Sequence, residues 1–240
     1  MPMQPSTFRR AFCGALRLTK TCLCAICRRK LDLVDQKRYW ETRSLQGLDD
    51  YVEMEVDPYY QRLDKTVESY LDRYKGLSQS PYIEIGAYQG YRLEKFARRI
   101  RERLFIGVDL GFVNLRLGKQ NFFHSPNVRV INADACHLPF PNNLADLIYT
   151  VVALSHVPFD NIRDAVNEIF RVSRRYVLLV EIDCRPMRWR KKLEAISLHY
   201  GYMHRYEKLV DRTIARLVHT EALRDEKGHP RYTTFLFAKC

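Results

Sequence analysis

From Pro81 onward the chain alternates short apolar runs with amphipathic stretches, and no other feature constrains its fold as tightly. The runs are "YIEI" (82–85), "LFIGVD" (104–109), "VRVINAD" (128–134), "ADLIYTVVAL" (145–154) and "YVLLVEI" (176–182). Each has the length and the β-branched and aromatic content of a buried strand. Between them, apolar residues recur at helical spacing over Tyr91–Arg103, Phe112–Phe123 and Asn161–Val172. Pro186–Val218 reads as mostly helical, with a break near Gly201. "RYTTFLFAK" (231–239) closes the chain as an antiparallel strand, with a partner expected near Val218–Leu223. Strands buried on both faces, each followed by a helix, demand a parallel sheet covered on both sides. The expected class is α/β: a doubly wound, mostly parallel, seven-stranded sheet with an antiparallel last strand, plus N-terminal helices.

The 240 residues divide into three zones. Residues 1–30 form a basic, cysteine-rich segment, 31–80 a polar helical extension, and 81–240 the α/β domain. In the first zone Phe8, Phe12, Ala15, Leu16, Thr19, Leu23 and Ile26 share one face of a helix. Arg9, Arg10, Arg17, Lys20 and Arg28 fall largely opposite. Such a helix can lie in a membrane interface, with nearby cysteines open to acylation, or pack on the domain and show its charges to water. In the second zone Pro58 opens a helix with Asp57 as its N-cap. Tyr59, Leu63, Val67, Tyr70, Leu71 and Tyr74 form its buried face, and Gly76 closes it.

A net charge of +12 favours acidic partners: nucleic acid, anionic lipid or phosphorylated substrates. Seven cysteines, four of them early (Cys13, Cys22, Cys24, Cys27), do not form a secreted disulfide framework and favour a reducing cytoplasm. Cys24 and Cys27 make one CxxC pair with no second knuckle, so no metal is assigned. No apolar run approaches the ~20 residues needed to span a bilayer.

In a doubly wound sheet, ligands bind at the carboxyl ends of the strands. Those ends carry Glu84-Ile-Gly86-Ala-Tyr-Gln-Gly90, then Asp109, then Asp134 in "NADACHLPF", then His156 in "ALSHV", then "EIDCRP". Gly86 lets the backbone approach a ligand, and Gly90 lets the following helix pack near the strand. Asp109 can accept the hydroxyls of a ribose, and Asp134 an exocyclic adenine amine. The glycines stand four apart, unlike the G-x-G-x-x-G of dinucleotide folds, and an acid lies two residues before the first. Such an acid would repel a pyrophosphate. It suits a nucleoside with a cationic end, and so S-adenosylmethionine rather than NAD.

These residues resemble the class I S-adenosylmethionine-dependent methyltransferases, a Rossmann-like family, and in particular their small-molecule branch, type 11. Glu84, Gly86 and Gly90 match the family's E-x-G-x-x-x-G loop, and Asp109 its ribose acid. "NADACHLPFPNNLADLIYT" is similar to its third- and fourth-strand block, and "YTTFLFAK" to its last strand. Where many members have a third glycine, this chain has Tyr88. The resemblance implies a methyltransferase whose cofactor, S-adenosyl-L-methionine, is held by Glu84, Gly86, Ala87, Gly90, Asp109, Leu110, Asp134, Ala135 and Thr150. If the accepting atom is a hydroxyl oxygen, His156 is the candidate base by location. Glu181 and Asp183 could serve as bases, fix the strand end or hold a metal. His199, Tyr200, Tyr202 and His204 could cover a substrate or simply pack.

The first expectation for the acceptor is a small or lipid- or glycan-linked molecule, met in the cytoplasm or at the inner membrane surface through the N-terminal segment. An RNA acceptor, favoured by the charge and by Arg98, Arg99, Arg101 and Arg103, ranks behind it. A non-catalytic protein that keeps the fold is the third reading.

Overall fold

The computed structural model describes Trp40 and residues 58–74, 76, 79–182, 202, 204–224, 228 and 230–240. The expected N-terminal amphipathic helix, the early cysteines, Asp57, Asp183, His199, Tyr200 and most of the helix expected from Pro186 lie outside the described residues.

Seven strands form one sheet in the order β3-β2-β1-β4-β5-β7-β6. They are β1 (Tyr82–Ile85), β2 (Phe105–Asp109), β3 (Val128–Asn132), β4 (Ala145–Val151), β5 (Ser173–Ile182), β6 (Ala215–Arg224) and β7 (Pro230–Lys239). β1 to β5 pair in parallel, while β7 runs antiparallel to both β5 and β6. The chain reverses between β1 and β4, and the crevice at that reversal is where an open α/β sheet receives ligands.

Two buried layers flank the sheet, and alternation along the strands feeds both. Ile83, Ile85, Ala145 and Ile148 join the layer beneath α4 (Ile162–Val172), with Tyr206, Phe235 and Phe237. Tyr82, Leu147, Tyr149 and Val151 join the opposite layer, beneath α1 (Pro58–Tyr74) and α2 (Tyr91–Arg99). α3 (Phe112–Asn121) lies over β2 and β3. A short helix α5 (Tyr206–Leu209) precedes β6.

Charge pairing ties α1 to α2. Asp64, Glu68 and Asp72 recur every fourth residue and so share one face of α1. Asp64 accepts from Arg92 at 2.8 Å and Lys95 at 2.7 Å, and Arg99 pairs with Glu68 at 3.0 Å and with Asp72. Arg98 is spent on Glu94 at 2.8 Å. Arg103, 2% exposed, donates to the Ser80 carbonyl and stacks over Tyr82. The basic cluster singled out for RNA is therefore largely engaged within the domain.

Two expected helix boundaries change. The helix from Tyr91 ends at Arg99 rather than Arg103, because the Asn127 amide takes the carbonyls of Ala97, Ile100 and Arg103 at 2.8–3.2 Å. That remote cap turns the chain so that Arg103 enters the core. The expected helix reaching Val218 gives way to strand from Ala215 onward, since β7 presents a backbone edge that β6 satisfies. β6 stands at the sheet's margin with nearly all its residues exposed, so no apolar periodicity marks it as strand.

Candidate active site

The turn after β1 is built on left-handed backbone. Gly86 and Gly90 have φ of 77° and 73°, and Tyr88 between them has φ of 53°. Glycine takes these angles freely; tyrosine takes them at a cost. A side-chain carbon at Gly86 would run into Ala153, and one at Gly90 into the Phe123 ring. The turn is pinned to β2, since Gly86 and Ala87 donate to the Val108 carbonyl at 2.8 and 3.0 Å. Ala87 is buried there.

Glu84 lies beneath this turn and is 1% exposed. Its carboxylate accepts from the Tyr149 hydroxyl at 3.2 Å and from Arg92 at 3.5 Å. Arg92 makes its closer contact with Asp64 at 2.8 Å, so its compensation of Glu84 is partial. Burial therefore prevails and pushes the Glu84 carboxyl from 4.5 to about 7. So deep a side chain belongs to the frame beneath the turn.

Asp109, at the end of β2, is half-buried and faces the same turn. One oxygen accepts from Gly111 N–H at 2.8 Å and the Asn114 amide at 3.2 Å; the other accepts from Tyr88 N–H at 2.7 Å. Burial raises its pKa and these donors oppose the rise. The oxygen facing Tyr88 keeps acceptor capacity for a ligand hydroxyl. Leu110 is half-buried beside it, its carbonyl held with that of Asp109 by the Asn132 amide at 2.9 Å each. Asp134 caps the next loop by accepting from Cys136 N–H at 2.9 Å, and Ala135 packs against the core.

The loop after β4 supplies the other wall. Val152 adopts φ of 55°, an uncommon angle for a β-branched residue and a mark of backbone held under constraint. Glu181, fully buried at the end of β5, supplies that constraint. Its carboxylate accepts from Ala153 N–H at 3.0 Å, Leu154 N–H at 3.1 Å and Ser155 N–H at 3.2 Å, and from the Thr150 hydroxyl at 2.8 Å. Burial lifts Glu181 to about 6 against those donors. Glu181 thus fixes the strand end, and the Thr150 hydroxyl is turned inward to it. The 3-10 turn Leu154–His156 that results carries the half-buried His156 to the edge of the crevice.

Trp40 crosses this edge. Its ring stands edge-on to His156 with centroids 4.6 Å apart, and to Tyr88 at 6.1 Å. On the far side of the turn, Phe159, Tyr202 and His204 pack together, and His204 is bonded to the Val157 carbonyl at 2.9 Å. Burial lowers the His204 pKa to about 4, so it remains neutral and structural.

The structure gathers Glu84, Gly86, Ala87, Gly90, Asp109, Leu110 and His156 around one crevice. It sets Asp134 and Ala135 on the adjacent loop and turns Thr150 inward. Sequence reasoning missed Trp40, Asn114 and Ala153. Asn114 carried a weak signal, as a polar residue on the face of α3 that is buried with Leu115 and Gly118. Trp40 and Ala153 carried none. Among the described residues no cluster of His, Cys, Asp and Glu could hold a metal ion.

The donor set fits a nucleoside with a cationic end. Among the described residues its carboxylates are Glu84, paired with Arg92, and Asp109, which retains acceptor capacity for a diol. This sheet order is that of the Rossmann-like methyltransferase fold. Residues 83–175 match the family described as "Methyltransferase domain". No curated protein sequence matches the chain. Among solved structures it is similar to magnesium protoporphyrin IX methyltransferase from Synechocystis PCC 6803 with bound SAM. That likeness has 12% identity, TM-score 0.66, and covers 88% of this chain and 100% of that one. It is also similar to the N-methyltransferase NodS from Bradyrhizobium japonicum WM9 in complex with S-adenosylhomocysteine (12%, 0.67, 85% and 98%). A third is geranyl diphosphate C-methyltransferase from Streptomyces coelicolor A3(2) (14%, 0.62, 86% and 97%). At these identities the likeness is one of fold.

Proposed function

We propose that this protein transfers a methyl group from S-adenosylmethionine to the hydroxyl oxygen of a small or lipid-linked acceptor. The observation that carries the reading is the pairing of Asp109 with the left-handed turn Gly86–Gly90, braced from below by buried Glu84. This arrangement suits a ribose and a cationic amino-acid end together. When bound, the cofactor supplies an electrophilic methyl carbon on a sulfonium.

The turn and Asp109 would hold the nucleoside while the loop after β4 meets the acceptor, which places the two reactants on facing walls. His156 would accept the proton of the acceptor hydroxyl. Glu181 positions His156 through the backbone of its turn and takes no proton in the reaction. A small acceptor is supported by the named acceptors of two similar structures, magnesium protoporphyrin IX and geranyl diphosphate. It is favoured over RNA because Arg98, Arg99 and Arg103 are already paired. The charge of +12 and the basic amphipathic pattern of residues 1–30 support peripheral contact with an anionic membrane from the cytoplasmic side.

The test is calorimetric titration of the full chain with S-adenosylmethionine and S-adenosylhomocysteine, with NAD as control. Binding of the two sulfur nucleosides alone, lost in Asp109→Ala, is expected. A folded wild-type protein that binds neither would overturn the reading. Flotation with anionic liposomes, compared with a chain lacking residues 1–30, tests the membrane contact.

A further inference from the structure

Trp40 is an outlying residue with two ring partners in the crevice. It precedes α1, outside residues 83–175, yet its indole reaches both walls: Tyr88 on the cofactor side and His156 on the opposite turn. Tyr88 is the residue of the turn least suited to its backbone, because a tyrosine at φ of 53° lacks the freedom of glycine. Something must hold it there. Two contacts do so. Its N–H donates to Asp109 at 2.7 Å, and its ring packs edge-on against Trp40. The Tyr88 N–H bond in turn orients the carboxylate that faces the ligand side. Trp40, Tyr88 and Asp109 form a continuous chain of contacts, and His156 anchors the indole at the other end.

We propose that Trp40 is a positioning residue of the cofactor site: it buttresses Tyr88 in the left-handed turn and thereby sets the Asp109 carboxylate, so the site is complete only with Trp40 seated against it. This inference rests on the cofactor reading above. It explains how the chain tolerates a tyrosine at the turn's centre, where a glycine would need no support.

The chain has two tryptophans, so Trp189→Phe leaves Trp40 as its single emitter. In that full-length protein, S-adenosylhomocysteine should shift or quench the emission with the same Kd that calorimetry gives. Trp40→Ala should weaken binding about five- to tenfold, the range of one well-packed aromatic pair, and Trp40→Phe should restore it to within about twofold. A residue that acts through Tyr88 must also couple to it. In a Tyr88→Gly background the turn no longer needs the buttress, so Trp40→Ala should then cost less than about twofold. If wild type binds S-adenosylhomocysteine and Trp40→Ala binds it equally well, the role of Trp40 is overturned alone. The same holds if the loss persists undiminished beside Tyr88→Gly. If wild type does not bind, the cofactor reading falls and this inference falls with it.

Discussion

Replacing Glu84 with glutamine should stabilise the protein at alkaline pH and leave it unchanged in acid. Glu84 is 1% exposed, and its cation Arg92 stands 3.5 Å away while giving a 2.8 Å contact to Asp64. Burial of the charged form outweighs that partial pairing and lifts the carboxyl from 4.5 to about 7. Between those values the native state binds more protons than the unfolded chain. The contribution to stability is therefore full below pH 4.5 and is withdrawn as pH rises through 7. A rise from 4.5 to about 7, at about 1.4 kcal/mol for each pH unit, comes to about 3.5 kcal/mol. Glutamine has the same shape and no charge to bury. Glu84→Gln should match wild type at about pH 4 and be more stable by about 3 kcal/mol at pH 8, a gain of roughly 6–12 °C in Tm. Urea unfolding followed by circular dichroism across this range measures it directly. A variant that is less stable at pH 8, or whose difference from wild type does not vary with pH, would refute the reasoning. Either result would mean that the Arg92 pair, not desolvation, governs this acid.

Two further substitutions probe the frame of the site. Gly118→Ala would drive a methyl group into the Gln89 carbonyl where α3 meets the cofactor turn; it should cost about 1–3 kcal/mol, read as a lowered urea midpoint. Glu181→Ala would strand the buried donors of Thr150, Ala153, Leu154 and Ser155; it should cost about 3 kcal/mol or more and increase amide exchange at residues 153–155 ahead of the rest of the sheet.

The sequence alone determined the sheet. The runs "YIEI", "LFIGVD", "ADLIYTVVAL" and "YVLLVEI" are largely apolar on both faces, and a parallel sheet under two helical layers buries such strands. The strand ends then placed Glu84, Asp109 and His156 on one edge without any tertiary information, because a parallel sheet puts every carboxyl end on the same side. Register with the helices was less legible. Arg99 ends α2 because Asn127, beyond the next strand, takes the last carbonyls, and no local pattern announces a remote cap. β6 became strand because β7 offered it an edge, although its own residues carry no alternation of burial.

The tertiary structure alone decided how deeply each acid is buried and which of them hold the frame. Glu181 and Glu84 look equivalent to Asp109 in sequence, each an acid in or at the end of an apolar run. Depth separates them. Glu84 and Glu181 are almost wholly excluded from water, while Asp109 is only half-buried. Solvent access at a strand end depends on how far the neighbouring loops fold over it. Contacts such as those of Trp40 with Tyr88 and His156 join residues far apart in the chain, and they exist only once the loops have closed.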